Sequence, residues 1–467
     1  MKKKIFIIFN HLLYIKNYVY TGAFKELEKK YDCYYILENS LKNQNIKNIL
    51  GINSYNNFKK KVILNFEYNN LQKKLFSFLF DKIQVRHRNN FSNIKYNTDN
   101  QIKLEKIFYS YEKPSIILGI KRIILWQIKI FRRILIFIFF HKIFDRILDK
   151  LISVNKKLLN LFVNEKPHLV IIPFNGSHIS IFDTIRYFNK IDQKRVLMVS
   201  ENWDNLFSRY MVNQPDFMSV WGEQIKKPLK RQKFKGKVFT IGTPRVDNYF
   251  IYRKKKLKRP FKFKYAVFFD HANPKFKDNE IILRSIDDFL EQNKNKFKDF
   301  KLVFRPHPYP RVQDLYLIDF NNYKNIILDP QMKSRYTFNN MDTKTESGDL
   351  EYSAKLIKNA EFIISSTSSV TIEASIFYKK VIVVTPENDS TKKRLIDVWE
   401  QFQEVTKFPN IRICHSPHKL VPTIKQFIHN KKRITNKEID KWRNKVLFSD
   451  GKKFSSRISN KVSYILN

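Results

Sequence analysis

The sequence predicts an α/β protein with two Rossmann-like, doubly wound domains that face a cleft, and with a helical basic insertion in the N-terminal half. At 467 residues the chain is too long for a single hydrophobic core. Short apolar strands alternate with helical segments, which is typical of parallel sheets. The charged linker 251–262 separates two such series. Two sheets of this kind indicate two domains with a cleft between them.

The first series predicts an N-terminal acceptor domain over residues 1–255, which includes the helical insertion at about 103–163. Its Asn-rich stretches around 40–60 and 86–102 are polar and non-periodic, so we expect loops or an irregular insertion there. The strands expected in this domain lie at 5–9, 168–173, 195–200, 217–221 and 238–241.

The second series predicts a domain that binds a nucleotide donor over residues 262–435, followed by a C-terminal helix at 436–467 that packs back. Residues from 391 to the end are expected to be helical. The expected strands lie at 265–269, 301–304, 362–365 and 381–385, and the helices between them at 278–294, 350–360 and 369–379.

The net charge of +45 invites a nucleic-acid interpretation. However, the basic residues are spread along the whole chain, and no RNP, zinc-finger or basic-zipper signature accompanies them. A bias towards Lys, Asn and Ile explains part of the charge. The remainder favours an anionic partner, either inner-leaflet lipid or the phosphates of a nucleotide donor. We therefore expect no nucleic-acid partner.

Features of the chain that bear on location predict a cytoplasmic protein. Cys33 and Cys414 cannot form a disulfide framework and lack metal-ligand spacing, which fits a reducing compartment. The start MKKKIFIIFNHLL imitates a signal peptide, but its apolar run covers only Ile5–Phe9 and no cleavage site follows. The apolar run Ile134–Phe140 is too short to span a bilayer.

The segment 115–163 interleaves large apolar residues with basic ones such as Arg132 and Arg133. Two interpretations stay open. The segment forms core and interdomain helices, or its basic amphipathic face lies on the anionic inner surface of the membrane. The second would make the protein peripheral to that membrane.

The segment EFIISSTSSVTIEAS (361–375) contains the strongest candidate site. An apolar strand runs into consecutive hydroxylated residues, and a helix follows at once. Hydroxyls and free N–H groups at a helix N-terminus can bind phosphate, and an acid one turn later can accept the hydroxyls of a ribose. Ordinary helix capping is the alternative. The predicted donor-binding residues are Ser366, Thr367, Ser368, Ser369 and Glu373.

A second candidate is the loop RPHPYPR (305–311). Its three prolines stiffen the backbone, so His307 is presented at the end of a strand with a cation on either side. Donors already in place stabilise the charge that develops on a leaving phosphate. We predict that the loop binds the donor, with His307 also acting in catalysis. The predicted residues are Arg305, His307, Pro308 and Arg311.

A third candidate is ENWDN (201–205), with His178 and Asp183 one βα unit earlier. Asp204 or His178 could take the proton that an acceptor loses. The alternative is that Asp204 only forms a turn. The turn GTPRVD (242–247) is either a further site element or purely structural.

Taken in order, WDN, VWGEQIKK, IGTPRVD, RPHP, SSTSSVTIEA and SDGKKFSSRI resemble motifs of bacterial surface-polysaccharide enzymes over about 165–460. That grouping includes relatives of CDP-glycerol glycerophosphotransferase and capsule glycosyltransferases with an HP motif. The resemblance implies a GT-B fold and a nucleotide phosphate held by His307 and Pro308. It also implies a second phosphate-binding group at Ser366–Ser369 and a ribose-binding acid at Glu373.

No Asp-x-Asp occurs in the chain, so a metal-independent glycosyltransferase without a cofactor is predicted. Its partners would be a nucleotide-activated sugar donor and a surface-polysaccharide or lipid-linked glycan acceptor. Three alternatives stay open: a CDP-glycerol-type polyol-phosphate transferase, a UDP-sugar 2-epimerase, and a non-enzymatic basic binding protein.

Overall fold

The protein divides into two compact units in the computed structural model. Unit 1 comprises Met1–Trp221, Ile225–Ile241 and Ser455–Asn467, and unit 2 comprises Gly222–Gln224 and Gly242–Phe454. The structure describes residues 2–41, 44–86, 148, 150, 155–174, 178–207, 210–270, 277–306, 318–332, 350–366, 368–385, 396, 399–429 and 434–467.

Unit 1 contains seven parallel strands. They are β1 Lys4–Phe9, β2 Asp32–Glu38, β3 Val62–Phe66, β4 Leu169–Phe174, β5 Val196–Ser200, β6 Phe217–Val220 and β7 Lys237–Thr240. Their order in the sheet is β3-β2-β1-β4-β5-β6-β7. Ile5 of β1 lies opposite both Cys33 of β2 and Leu169 of β4. The strand order reverses between β1 and β4, and the carboxyl ends of strands at such a point form the usual ligand crevice of this architecture.

Helices flank this sheet, and its central strands β4 and β5 are buried throughout. Every residue of β4 and β5 is buried, as parallel sheets require. Helix Ile179–Lys190 starts at His178, whose side chain accepts the Ser180 N–H as an N-cap. The helices are Leu12–Tyr14, continuing as the π-helix Ile15–Tyr20, then Lys25–Lys30, Gln44–Leu50, Ile52–Lys59, Asn70–Arg86, Lys156–Glu165, Ile179–Lys190, Lys226–Arg231 and Phe454–Leu466.

Unit 2 contains six parallel strands. They are β8 Lys264–Phe269, β9 Phe300–Arg305, β10 Ile326–Leu328, β11 Phe362–Ser365, β12 Lys380–Val384 and β13 Ile411–Cys414. Their order is β10-β9-β8-β11-β12-β13, so the reversal falls between β8 and β11. The helices are Asp247–Lys254, Lys277–Gln292, Leu350–Asn359, Val370–Ile376, Glu400–Val405, Leu420–His429 and Asn436–Val446.

The predicted fold class is confirmed, because each unit is a parallel sheet flanked by helices. The prediction was wrong at four strands that it missed: β2, β3, β10 and β13. β3 and β10 are short edge strands, and β13 has only four residues with Arg412 exposed. Such strands lack the continuous apolar run that marks a central strand. The loops expected around 40–60 are also wrong, since helices Gln44–Leu50 and Ile52–Lys59 occupy most of that stretch.

The division between units falls before Gly242, whereas the sequence places the linker at 251–262. Helix Asp247–Lys254 belongs to unit 2 because its side chains pack there. The Tyr249 ring lies 5.7 Å from the Phe377 ring, and Arg253 Nη1 donates to the Tyr378 hydroxyl at 2.9 Å. The segment 251–262 is rich in charged residues because the C-terminal end of this helix exposes basic side chains.

Most of the predicted insertion at 103–163 lies outside the described residues, and so does the amphipathic segment around Arg132 and Arg133. Only its end is described, where helix Lys156–Glu165 buries Leu158 and Phe162. Within the described parts of the chain, no helix is long and apolar enough to cross a membrane.

Candidate functional site

The reversal point of unit 2 brings buried hydroxyl groups to the carboxyl end of β11. Ser365 is fully buried and Ser366 is half-buried. Among the described residues, neither Oγ atom has a hydrogen-bond partner. A buried hydroxyl without a partner costs free energy, so it marks a place where a ligand or water completes the structure. These two groups fit the predicted phosphate site.

Glu373 lies one turn into helix Val370–Ile376 and is only 8% exposed. Its Oε1 accepts the Ser369 hydroxyl at 3.1 Å and lies 3.2 Å from Arg245 Nη2. Both contacts fall on the same oxygen, which leaves Oε2 to accept a hydrogen bond from a ligand. Ser368 Oγ accepts the Val370 N–H at 3.3 Å, whereas Ser369, the N-cap residue of the helix, makes no side-chain cap hydrogen bond.

Arg245 is a site residue that the sequence left open. It follows Gly242, whose φ of +74° is in the left-handed region that favours glycine, and the Thr243 hydroxyl accepts its N–H. The turn GTPRVD thereby directs a guanidinium to the carboxylate of Glu373. A signal was available, because Pro-Arg in a tight turn a few residues after a strand fixes a cation near the end of that strand. The partner carboxylate could not be identified from sequence spacing.

Arg305, at the end of β9, is held by protein groups. Nη1 pairs with the fully buried Asp329, and Nη2 donates to Ser353 Oγ at 3.2 Å. The Tyr352 hydroxyl donates to the other Asp329 oxygen at 2.9 Å, and the Arg305 guanidinium lies over the Tyr352 ring. Arg305 is therefore fixed by a network that joins β9, β10 and helix Leu350–Asn359.

The remaining predicted donor-binding residues, Thr367, His307, Pro308 and Arg311, lie outside the described residues. The catalytic role predicted for His307 falls there as well. Their roles stay predictions.

The reversal point of unit 1 gathers titratable groups around His178. His178 Nε2 lies 3.1 Å from Glu38 Oε2, and Nδ1 lies 2.8 Å from Ser180 Oγ. Glu38, at the end of β2, is 2% exposed and also pairs with Lys73 Nζ at 2.7 Å. Burial pushes the pKa of Glu38 upwards, but His178 and Lys73 outweigh it, so the pKa lies below its ordinary value. Both ring nitrogens of His178 are engaged.

His11 lies at the start of the loop after β1 and belongs to the same group. Its Nδ1 accepts the Leu13 N–H at 3.1 Å, which leaves Nε2 for a ligand. Loss of water around the ring and then the charge of His178 lower the pKa of His11, against the opposing charge of Glu38. An imidazole that is neutral near pH 7 can accept a proton. Glu38 was not predicted because β2 was not predicted, and His11 was predicted only to end a strand.

Asp204 lies in the turn after the buried Trp203, and its carbonyl accepts the Phe207 N–H at 3.0 Å. Asp204 is half-buried. Asp183 is fully buried instead, where Tyr68 donates to it at 2.8 Å and Arg186 lies at 3.3 Å. Burial raises the pKa of Asp183 to about 6, although the hydrogen bond from Tyr68 and the charge of Arg186 act to lower it. Asp183 fastens helix Ile179–Lys190 to its neighbours.

Three or more His, Cys, Asp or Glu side chains do not come together as a metal-binding group anywhere in the described part of the chain.

No protein-family profile and no curated protein matches the chain. Solved structures do match it. S. aureus MnaA in a co-structure with UDP is 14% identical, covering 100% of this chain and 97% of that one, with a TM-score of 0.53. The UDP-GlcNAc 2-epimerase from Neisseria meningitidis bound to UDP-GlcNAc is 13% identical over 99% of each chain, with a TM-score of 0.50. The fold is GT-B. At this level of identity, the likeness shows the fold alone.

The GT-B fold explains why both groups of polar residues lie at carboxyl ends of strands. In each sheet the helices diverge to opposite faces at the reversal point, which leaves backbone and side-chain groups there free to bind a ligand. The group in unit 2 offers hydroxyls, a carboxylate and a cation. The group in unit 1 offers two imidazoles and a carboxylate.

Proposed function

We propose that this protein is a nucleotide-sugar enzyme that transfers a sugar from a nucleotide-activated donor to a surface-polysaccharide or lipid-linked glycan acceptor. The observation that carries the proposal is the arrangement at the reversal point of unit 2. Glu373 is fixed there by Arg245 and Ser369, beside the buried hydroxyls of Ser365 and Ser366. This set combines an acceptor for ribose hydroxyls with donors for phosphate oxygens.

In this proposal Glu373 Oε2 accepts a hydroxyl of the donor ribose. The Ser365 and Ser366 hydroxyls donate to the diphosphate, which gains negative charge as the bond to the sugar breaks. Donors already in position need no reorganisation at that moment. Arg245 orients Glu373, and its positive charge offsets the burial of the carboxylate.

Unit 1 would supply the acid–base group. We assign this role to His11, because Nε2 is available and the lowered pKa keeps the ring neutral. In the proposed transfer the acceptor hydroxyl attacks the anomeric carbon, a base takes its proton, and the nucleotide diphosphate leaves with the electron pair of the broken bond. His178, with both nitrogens engaged by Glu38 and Ser180, sets the charge around His11.

A UDP-sugar 2-epimerase is the second candidate. The structural neighbours with a TM-score of 0.50 or above include a UDP-GlcNAc 2-epimerase bound to UDP-GlcNAc and a protein in complex with UDP. A nucleotide site in unit 2 and acid–base groups in unit 1 would serve that reaction as well. The sequence motifs instead favour transfer, either of a sugar or of a polyol phosphate from a CDP-polyol.

A two-stage experiment tests the proposal. The first stage measures the melting temperature of the protein with UDP, CDP, CMP or GDP, because a ligand that binds the folded state raises it. The second incubates the protein with the matching sugar nucleotide and no acceptor, then with added glycan or lipid-linked acceptors. Turnover that requires an acceptor supports transfer. Conversion of UDP-GlcNAc to its 2-epimer without an acceptor favours the epimerase, and binding of no nucleotide contradicts both.

A further inference from the structure

A second cavity in unit 2 lies apart from the residues of the nucleotide site. Its volume is about 290 Å³, and it is bordered by helix Asp247–Lys254, helix Asn436–Val446 and the loop that follows the latter. It shares no lining residue with the group around Glu373. The loop contains the SDGKK sequence at 449–453 that belongs to the last of the sequence motifs, to which no role has been assigned.

The lining of this cavity is strongly basic. Five of its side chains are cationic and two are carboxylates. Both carboxylates are engaged within the protein: Asp247 accepts the Phe454 N–H, and Asp440 lies 2.6 Å from Arg443 Nη2. The local charge is therefore positive, and a cavity with this charge attracts an anion. The cationic residues are Arg253, Lys254, Arg443, Lys452 and Lys453.

Arg443 provides a buried hydrogen-bond donor at this basic cavity. It is 4% exposed, and burial lowers its pKa despite the neighbouring Asp440. Nη1 donates to the Ser375 carbonyl at 3.3 Å, and the guanidinium lies 5.2 Å from the centre of the Phe250 ring. Its Nε–H has no hydrogen-bond partner among the described residues. A buried guanidinium N–H left without an acceptor is costly, so an acceptor from a ligand would stabilise it.

We propose that this cavity binds the phosphate group of a phosphate ester that is not the nucleotide donor, such as a phosphorylated part of the acceptor. An arginine matches the oxygens of a phosphate group geometrically, and lysines at the rim add charge. A cavity of about 290 Å³ exceeds the size of a bare phosphate, which leaves space for the esterified group. The assignment of the ligand to the acceptor rests on the proposed function. The binding of an anion in this cavity does not depend on that function.

The test uses the full chain and isothermal titration calorimetry with three probes: glycerol 3-phosphate, inorganic phosphate and UDP. The main variant carries Lys452→Glu and Lys453→Glu, both on an exposed loop where folding should be unaffected. The control carries Lys437→Glu and Lys441→Glu, which make the same charge change on exposed positions of helix Asn436–Val446 outside the cavity. Arg443→Met is a further variant, checked for folding by its melting curve.

We expect the wild type and the control to bind glycerol 3-phosphate, with the dissociation constant raised at least tenfold by Lys452→Glu with Lys453→Glu. The affinity for UDP should stay within about twofold in all of these variants. Three results would overturn the proposal: no binding of glycerol 3-phosphate, equal loss in the control, or displacement of glycerol 3-phosphate by UDP. Inorganic phosphate binding as tightly as the ester would overturn the assignment to an ester. Absence of UDP binding would instead contradict the nucleotide site and leave this one standing.

Discussion

Single residues in this protein acquire their chemical properties from partners that are distant in sequence. Glu373 is held by Arg245 from a turn that lies 128 positions earlier in the chain. His178 is engaged by Glu38 at the end of another strand. In both pairs a buried carboxylate is engaged by a neighbouring side chain, so each partner is oriented rather than mobile. Oriented groups at the ends of strands are what a binding site needs.

Replacing Glu373 with Gln should weaken UDP binding by about 10- to 150-fold, because a hydrogen bond to a charged group contributes about 1.5–3 kcal/mol. The dissociation constant is measured by calorimetry. Glu280→Gln is the matched control, since Glu280 lies on an exposed helix face in the same unit and pairs only with Arg284. An unchanged affinity in a folded Glu373→Gln protein would remove the residue from the nucleotide site.

His11→Asn should lower kcat/KM by about 100-fold or more, as expected for loss of a general base.

His178→Asn should keep the protein active. Since the charge of His178 lowers the pKa of His11, its removal should raise that pKa. The protonated base is inactive, so the acid limb of the pH profile should move to higher pH. His418→Asn, at an exposed site in unit 2, is the control. If His178→Asn is as inactive as His11→Asn, His178 is the base instead.

At the scale of elements, short strands at the sheet edges depend on polar contacts that fix their position. β10 has three residues, yet Asp329 directly after it is fully buried and joins Arg305 at the end of β9 to Tyr352 on helix Leu350–Asn359. Backbone pairing of so short a strand offers few hydrogen bonds. The buried ion pair therefore specifies where this edge lies and where the loop after Arg305 begins.

Asp329→Asn should destabilise the protein by about 3–5 kcal/mol, because it leaves the largely buried guanidinium of Arg305 without its counter-charge. The free energy of unfolding is measured with urea. Asp319→Asn is a suitable comparison, since Asp319 caps a short helix through the Asn321 N–H and Asn caps equally well. A loss of less than about 1 kcal/mol in Asp329→Asn would show that the pair contributes little.

At the scale of the whole molecule, the charge of +45 is spread over both units and does not form a nucleic-acid motif. A protein with this charge is attracted to anionic surfaces, and each basic residue near such a surface contributes about 1 kcal/mol. The same positive groups can stabilise a leaving phosphate. The same positive charge therefore supports both the expected location at an anionic membrane surface and the expected stabilisation of a leaving phosphate.

The protein should bind vesicles that contain anionic lipid, ignore neutral vesicles and dissociate as salt is raised, because exposed charges are screened over about 10 Å at 0.1 M salt. Flotation of vesicles measures the bound fraction. Replacing Arg132 and Arg133 with Glu should weaken binding without changing nucleotide affinity. A native protein that stays unbound at low salt would contradict the proposed membrane residence.

Turnover should survive treatment with EDTA, because the chain contains no Asp-x-Asp to hold a divalent ion against a nucleotide diphosphate. The rate is compared before and after chelation, and again after adding magnesium or manganese. Loss of activity that either metal restores would reveal a metal requirement and contradict this prediction.

The sequence by itself determined the class of fold and one side of the proposed nucleotide site. Buried central strands such as β4 and β11 are continuous apolar runs, and the hydroxyl-rich segment that follows β11 marks a carboxyl end directly. These signals are local, so they can be read along the chain. The position of Ser366 and Glu373 after that strand follows from them.

Only the tertiary structure decided which polar and charged side chains contact one another. Arg245 reaches Glu373 because its turn leads into helix Asp247–Lys254, which packs against Phe377 and Tyr378 in the same unit. Glu38 and His11 join His178 because parallel strands of one sheet bring their carboxyl ends to one edge irrespective of sequence separation. β2 was missed in the sequence, and Glu38 with it. The buried Arg443 beside the SDGKK loop was likewise invisible, since its burial depends on Ser375, Phe250 and Asp440 together. Local sequence patterns predict helices and strands. Which charged side chains pair with one another depends on which helices and strands pack together.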